Sequence, residues 1–357
     1  MANPQTILFC GGGSGGHLYP GVAVAEELRK RSKSFRAVFV GSTRDIERTV
    51  LSDSGFDHET LDVLPAGTLL RSPLRFIRTH RAAVKRSLEL IDEHKPSAVL
   101  GLGSFASVPV VTAAAKRNIP IVLLEQNRIA GRATRWLSRK ASAVCISFPE
   151  TTVGSGRPEV VFTGNPVRAN IVAARDANTL QNTLLVIGGS QGAVRLNDLI
   201  LSSLSSPDII PDRWDIVHQT GPRDEEGVRS HYQAIGVSAT VGAFFHDMPS
   251  RYASAGIVIT RAGGTTLAEL ACIGRASILV PYPNSVGDHQ LKNAQCFAES
   301  NAAILIEHDS DQSQVLGTAL KVLADRDERE RMASAMKLLG APDAASSVAD
   351  VVARLSN

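Results

Sequence analysis

The sequence predicts an α/β protein of two Rossmann-like domains facing one another across a cleft, and three observations carry that expectation. Short β-branched runs alternate with helical patterns along the chain, as they do in parallel sheets covered by helices. The alternation breaks at Gly164-Asn165-Pro166-Val167-Arg168 and then resumes, and each series opens with an apolar run, a glycine turn and a helix. At 357 residues the chain is also long for one core. These breaks place a first domain at 1–165, a second at 166–342, and a closing helix at 343–357.

The strand runs of the first series are 6–10, 36–41, 98–102, 121–124, 143–146 and 160–162. In such a sheet, ligands gather at the carboxyl ends of the strands. Behind the first run comes Gly11-Gly12-Gly13-Ser14-Gly15-Gly16-His17, then a helical pattern over 22–28. Glycines let the backbone turn with positive φ and approach a ligand, while free N–H groups at the helix start attract negative charge. His17, in the first turn of that helix, is an imidazole able to accept a proton near neutral pH. The plainer reading makes it a first-turn residue bonded only to backbone.

Gly11-x-Gly13-x-x-Gly16 also fits the dinucleotide fingerprint, a weak signal by itself. A nicotinamide-binding unit needs an acidic residue at the end of the second strand, roughly 20 residues on. Here the run 37–40 leads into Gly41-Ser42-Thr43-Arg44, and the nearest acid, Asp45, opens the next helix. No Gly-Lys-Ser/Thr follows the glycines, which excludes a P-loop.

Between 65 and 86 the charge is one-sided: Arg71, Arg75, Arg78, Arg81, Lys85 and Arg86, with no acid between Asp62 and Glu89. On a helix starting at Pro73 these cations form a broad stripe, with Leu74, Ile77, Val84 and Leu88 beside it. One reading is a solvated helix with its apolar face in the core. The other is an interfacial surface over 69–86, with Leu69, Leu70 and Phe76 near lipid and the cations on anionic headgroups.

The second series has runs at 184–187, 216–219, 239–244, 257–260, 278–280 and 303–306, and opens with the turn Gly188-Gly189-Ser190-Gln191-Gly192. Behind 257–260 lies Arg261-Ala262-Gly263-Gly264-Thr265-Thr266-Leu267-Ala268-Glu269, where glycines and a helix start suit a diphosphate. Glu269, about one turn inside, either accepts hydrogen bonds from a ribose diol or closes a capping box with Thr266. Asp309-Ser310-Asp311 reads as a helix cap and Asp325-Arg326-Asp327 as a helix junction, so no essential protein-bound metal is expected. The last helix repeats apolar residues at Val348, Val351, Val352 and Leu355, which buries one face, against the first domain.

Composition narrows the partners. A net charge of +3 argues against bulk nucleic-acid binding. No run approaches the roughly 18 apolar residues of a membrane span, and no secretion signal is visible, so a cytoplasmic protein is expected. Cys10, Cys145, Cys272 and Cys296 are far apart and read as reduced packing residues.

Several separated blocks together resemble the MurG family, the N-acetylglucosaminyltransferases that convert lipid I to lipid II in peptidoglycan synthesis. They are Gly12 to His17 with Pro20, Leu124-Glu125-Gln126-Asn127 with Ile129-Ala130-Gly131, Gly164 to Arg168, Gly188 to Ala193, His218-Gln219-Thr220-Gly221, Arg261 to Glu269, and Gly287-Asp288-His289-Gln290 with Asn293-Ala294. The resemblance implies the GT-B glycosyltransferase fold. It implies a UDP-N-acetylglucosamine donor held mainly by the second domain. The acceptor held by the first would be lipid I, the muramoyl-pentapeptide on undecaprenyl diphosphate. Glu269 would then take the ribose hydroxyls, and Gly264, Thr265, Thr266, Leu267 and Ala268 would surround the diphosphate. Phe245 would offer a backbone contact to uracil, Ser190 and Arg168 would complete the nucleotide pocket, and Gln290 would read sugar hydroxyls. Ser14, Gly15, Gly16 and Asn127 would line the acceptor side, and His17 would be the general base, with Glu125 as the alternative. No cofactor is implied, and the place of work would be the cytoplasmic face of the bacterial membrane, reached peripherally. Gly103-Ser104-Phe105 replaces the family's usual Gly-Gly-Tyr, and Gly221-Pro222-Arg223 is an unusual form of its loop. Rival readings are another enzyme on the same fold, such as a UDP-N-acetylglucosamine 2-epimerase, and a non-catalytic nucleotide-sugar tether.

Overall fold

The computed structural model describes the chain except residues 1–4, 66, 157, 177–181, 190–191, 205–213, 284, 309–310 and 357, and the side chains of Leu69 and Val286. It forms two compact units: one runs through Arg168 and takes up the chain again from Pro342, and the other is Ala169–Ala341.

The first unit is built on seven parallel strands, β1 (Gln5–Cys10), β2 (Phe35–Gly41), β3 (Asp57–Thr60), β4 (Ala98–Gly101), β5 (Ile121–Glu125), β6 (Ala143–Ile146) and β7 (Glu159–Phe162), in the order β3-β2-β1-β4-β5-β6-β7. Its helices here are α1 (Gly15–Arg31), α2 (Asp45–Ser54), α3 (Thr68–Arg71), α4 (Pro73–His94), α5 (Ser107–Lys116) and α6 (Arg132–Leu137). The inner strands are apolar along their length because both faces are covered: Ile7 and Phe9 face one core, Leu8 and Cys10 the other. β3 departs from the sequence expectation. Asp57-His58-Glu59-Thr60 carries no apolar run, and it forms a strand only because it pairs with β2 at the sheet's edge.

α4 corrects part of the expectation for the basic segment. Its inward stripe is Phe76, Ala83, Val84, Ser87, Leu90 and Ile91. Phe76, expected near lipid, is only 9% exposed and packs on Phe105, ring centroids 5.6 Å apart, whereas Leu74 is 83% exposed and Leu70 90%. Leu74 and Ile77 sit one turn apart on the outward face, the register that Phe76 and Ala83 fix. Leu69 belongs to α3, but its side chain lies outside what is described.

The second unit has six parallel strands, β8 (Thr183–Ile187), β9 (Asp215–Gln219), β10 (Ala239–Gly242), β11 (Ile257–Thr260), β12 (Ser277–Leu279) and β13 (Ala303–Leu305), in the order β10-β9-β8-β11-β12-β13. Around it lie α7 (Ala169–Ala173), α8 (Val194–Leu204), α9 (Glu225–Ala234), α10 (Met248–Ser254), α11 (Gly264–Ile273), α12 (His289–Glu299), α13 (Gln312–Ala324) and α14 (Arg326–Leu338). Asp311 caps α13 by accepting from the Gln314 N–H at 3.2 Å, and Asp325 caps α14 through the Glu328 N–H at 3.0 Å. Asp309 and Ser310 lie outside the described residues.

The last helix, α15 (Ala344–Ser356), returns to the first unit. Val348, Ala349, Val351 and Val352 are buried in the core that also holds Leu18, Val22 and Ala25 of α1. Arg31 donates to Asp350 at 2.5 Å and Arg354 to Glu159 at 2.7 Å, pinning the middle and the C-terminal turn of α15 from outside the core. Each sheet reverses its strand order once, between β1 and β4 in the first unit and between β8 and β11 in the second. Side chains at the carboxyl ends of two strands that lead in opposite directions leave a crevice there.

Candidate functional site

In the first unit that crevice is a pocket of about 370 Å³ lined by Gly12, Gly13, Ser14, His17, Ser42, Arg44, Val63, Leu64, Pro65, Ser104, Phe105 and Ala106. Gly11, Gly12 and Gly13 all have positive φ, which turns the chain from β1 into α1. His17 is the third residue of α1, and its Nδ1 lies 3.0 Å from Ser14 Oγ. Its ring lies over Gly103, where a Cβ would come within 2.9 Å of His17 Cδ2, so the glycine after β4 makes room for the imidazole. Ser104, at φ 62°, accepts from the Gly12 N–H at 3.4 Å and the Ala106 N–H at 3.3 Å. The Gly-Ser-Phe departure therefore ties the two loops together through the serine, and sends Phe105 toward Phe76 and His80.

The turn does not offer its glycine N–H groups to solvent. Gly11 donates to the Val40 carbonyl at 3.1 Å, Gly12 to Ser104, and Gly13 to Glu47 Oε1 at 2.6 Å. Glu47, on α2, has a fully buried carboxylate that also accepts from the Ser42 N–H at 2.8 Å and the Ser42 hydroxyl at 2.5 Å. Burial alone would raise its pKa. The His58 imidazole 3.7 Å away, with the Ser42 and Gly13 donors, outweighs burial and holds the carboxyl below its ordinary value. Arg44 completes the clamp, donating from Nη1 to the Gly13 carbonyl at 2.6 Å. Sequence reasoning passed over both side chains. The only signal was Glu47 in the first turn of a helix after Gly-Ser-Thr-Arg, with nothing to link it to a turn 34 residues earlier.

The remaining acceptor-side candidates lie apart from the pocket lining. Glu125, at the end of β5, is buried; Oε1 accepts from the Asn127 N–H at 3.1 Å and Asn127 Nδ2 at 3.2 Å, and Oε2 from the Gly131 N–H at 2.9 Å. A carboxylate so engaged shapes the loop that carries Asn127, which is a poor setting for a base. Gln126 links this loop to the pocket by donating to the Leu102 carbonyl at 3.0 Å. Gly15 and Gly16 begin α1; Arg168, expected in the nucleotide pocket and not on the acceptor side, ends the first stretch of this unit and stacks its guanidinium 4.1 Å over the Tyr19 ring.

In the second unit the crevice lies between the turn after β8 and the start of α11. α11 begins at Gly264 with Gly263 as its N-cap residue, so Thr266 and Glu269 stand third and sixth and form no capping box. That corrects the cap reading of Glu269. Its carboxylate is buried and accepts from the Tyr252 hydroxyl at 3.0 Å. Thr265 and Leu267 are buried, whereas Gly264, Thr266 and Ala268 stand on the more open side of the helix. Leu267 can meet a ligand only through its backbone. Arg261 extends from β11 to the carbonyl of Gly192 at 3.0 Å and lies 5.1 Å from the Tyr282 ring, with its pKa lowered by burial. It brings a cation to both glycine segments, a role the sequence reading did not give it. Ser190, and with it part of the turn after β8, lies outside the described residues.

The Phe245 N–H donates to Gln219 Oε1 at 3.1 Å, and Arg251 lies 3.7 Å over its ring, so the backbone after β10 is held from two sides. Gln290, second in α12, accepts from the Tyr282 N–H at 2.9 Å. Behind Gln219, buried His218 sits 3.0 Å from Tyr232 Oη and 3.0 Å from Asn197 Oδ1, and Asn197 donates to Asp224 at 2.7 Å. Burial pushes the His218 pKa down to about 3.

Comparison with known proteins adds independent findings. Residues 7–146 match the model of the glycosyltransferase family 28 N-terminal domain, and residues 183–348 that of its C-terminal domain. A protein of Anaeromyxobacter sp. (strain K) is 38% identical over 356 residues, covering 98% of this chain and 92% of its own; one of Syntrophus aciditrophicus is 38% identical over 305 residues, 84% of each. Both bear the name UDP-N-acetylglucosamine–N-acetylmuramyl-(pentapeptide) pyrophosphoryl-undecaprenol N-acetylglucosamine transferase. Among solved structures, MurG of Acinetobacter baumannii superimposes with a TM-score of 0.77 at 27% identity, over 98% of this chain and 100% of that one. The two parallel-sheet units thus make the GT-B fold.

Proposed function

The chain belongs to the family of UDP-N-acetylglucosamine–N-acetylmuramyl-(pentapeptide) pyrophosphoryl-undecaprenol N-acetylglucosamine transferases, and on that premise we propose how its residues carry the transfer. The enzyme moves N-acetylglucosamine from UDP-N-acetylglucosamine to the C4 hydroxyl of the N-acetylmuramoyl-pentapeptide of lipid I, forming lipid II. The acceptor oxygen attacks C1 from the face opposite UDP, which gives a β-1,4 bond with inversion. The C4 proton leaves to His17, and the bonding electrons of the C1–O bond leave with UDP.

The observation that carries the assignment of His17 is its place: an imidazole at the strand-order reversal of the first sheet, in the pocket, with Nδ1 at Ser14 Oγ. If Nδ1 carries the hydrogen and donates it to Ser14, Nε2 is left as the base. On the donor side, Glu269 takes the ribose hydroxyls, its Tyr252 bond setting the carboxylate's angle. The start of α11 and the Arg261 guanidinium face the diphosphate, where N–H groups and a cation stabilise the charge that grows as UDP departs. Phe245 holds uracil by its backbone, Gln290 reads sugar hydroxyls, and Ser190 and Arg168 complete the nucleotide site.

Lipid I carries a polyprenyl tail, so the enzyme works at a membrane surface. No helix among the described residues is long and apolar enough to cross a bilayer. The outward face of α3 and α4 supplies the attachment: Leu70, Leu74 and Ile77 exposed among Arg71, Arg75, Arg78 and Arg81.

His17→Ala tests the mechanism. Losing general-base help lowers kcat by about 10²- to 10⁴-fold with the donor KM little changed. Near-normal turnover by that variant overturns the assignment of His17.

A further inference from the structure

A turn of positive-φ glycines between a strand and a helix start commonly gathers N–H groups around an anion. Here the N–H groups converge on a side chain. Gly13 N, in the turn after β1, and Ser42 N, just after the neighbouring β2, both point to the carboxylate of Glu47, 2.6 and 2.8 Å away, with the Ser42 hydroxyl as a third donor at 2.5 Å. The carboxylate is fully buried. It lies so close behind the turn that a Cβ on Gly12 would come within 2.8 Å of Glu47 Cδ. Glu47 stands third in α2, where a capping side chain reaches the backbone of the residue before its helix; this one reaches past Arg44 to Ser42 and across to the preceding strand's turn.

We propose that Glu47 is a positioning residue for the transfer, its carboxylate occupying from within the anion seat of the glycine turn, so that it fixes the peptide that aims His17 and closes the turn to phosphate. The chain of contact is short. Glu47 and Arg44 hold the N–H and the carbonyl of Gly13, the next residue is Ser14, and Ser14 Oγ meets His17 Nδ1 at 3.0 Å. With the Gly11, Gly12 and Gly13 N–H groups already paired, the turn offers a second anion no backbone donor at those positions, and diphosphate recognition falls to other groups. The aiming of His17 rests on the base role proposed above; the occupied anion seat does not.

The test uses the full chain. In Glu47→Ala the donors at Gly13 and Ser42 face space the size of a small oxyanion. Millimolar inorganic phosphate should then raise the melting temperature of the variant by more than that of the wild-type protein, which keeps only the diphosphate site of the second unit. Formate should restore part of the lost turnover in the variant and none in the wild type. A purely structural anchor predicts neither gain. Glu47→Gln keeps the volume but places an amide N–H against one of the donors; it should lower kcat about 10²-fold while the donor KM stays within about threefold, the pattern of a misaimed catalytic group. A folded Glu47→Ala protein that takes up neither phosphate nor formate overturns the occupied seat. Should Glu47→Ala not fold, Glu47→Gln decides: turnover close to wild type overturns the proposal, and the kcat-only loss supports it. Failure of the His17 assignment is separate, because it shows in His17→Ala and leaves anion uptake by Glu47→Ala intact.

Discussion

Glu269 is a buried carboxylate to which the proposed mechanism also gives the ribose. Its position inside α11 and its bond to Tyr252 hold it at a fixed angle in a buried site. Glu269→Gln keeps the shape but weakens hydrogen bonds to the ribose diol, since bonds to a charged acceptor contribute about 1.5–3 kcal/mol against about 1 for neutral ones. The donor KM should rise about 10-fold with kcat within a few fold; an unchanged KM removes Glu269 from the ribose. His218 makes a prediction about acid. Its pKa is depressed to about 3 by burial, so the unfolded chain binds a proton below the ordinary 6.5 that the folded chain refuses. Stability is complete above that value and falls as pH drops from 6.5 toward 3, by about 2 kcal/mol between 6.5 and 5. Glu47, held low, adds a loss below its ordinary 4.5. Urea midpoints at pH 7 and 5 should separate more for the wild-type chain than for His218→Gln, and equal separations contradict the buried neutral imidazole. Residues of this scale were unevenly legible. His17 stood out because an imidazole follows six glycine or serine residues, and Glu269 stood out by resemblance. Glu47, Arg44 and Gln219 did not, because their partners come from strands or turns that only the sheet order brings beside them.

Among elements, α4 has one face buried in the core and one exposed, and the proposed function gives the exposed face to the membrane. Leu90 is 1% exposed, and Leu90→Ala should cost about 2–5 kcal/mol of stability while the folded variant still binds vesicles. The paired change Leu74→Ser and Ile77→Ser should leave the melting temperature nearly unchanged and weaken sedimentation with anionic vesicles. Replacing Arg75 and Arg78 by Ser should remove about 1 kcal/mol of binding per cation, most visibly at low salt. Vesicle binding indifferent to both pairs and to salt contradicts the membrane reading. Strand and helix runs with strong apolar patterns were legible from sequence: the inner strands of both sheets agree with the expected runs to within one residue at each end, and the edge strand β10 is two residues shorter than the run expected at 239–244. β3 was not, since an exposed edge strand has no need of apolar residues. The inward turn of Phe76 was also hidden, because the arginine stripe hides which of two apolar edges meets Phe105.

Across the whole molecule, the same arrangement appears twice with different chemistry at its reversal point. The first sheet ends in a glycine turn closed by Glu47 and crowned by His17, and the second in glycine segments joined by Arg261 at the start of α11. An imidazole at one reversal point and a guanidinium at the other suit the proposed reaction, in which a hydroxyl loses its proton and a diphosphate gains charge. The two-unit plan was legible in the repeat of strand, glycine turn and helix. The pairing of the first turn's N–H groups with Glu47 was not, since both turns look alike in sequence and only the resemblance gave the donor to the second. The measurement that reaches this account most directly follows the purified protein with UDP-N-acetylglucosamine and a lipid I analogue, in excess chelator, recording UDP release and disaccharide together. The account predicts equal amounts of UDP and a β-1,4-linked disaccharide for the wild-type chain, and loss of both in His17→Ala. UDP release without disaccharide, or activity that disappears in chelator and returns with a divalent ion, would contradict it.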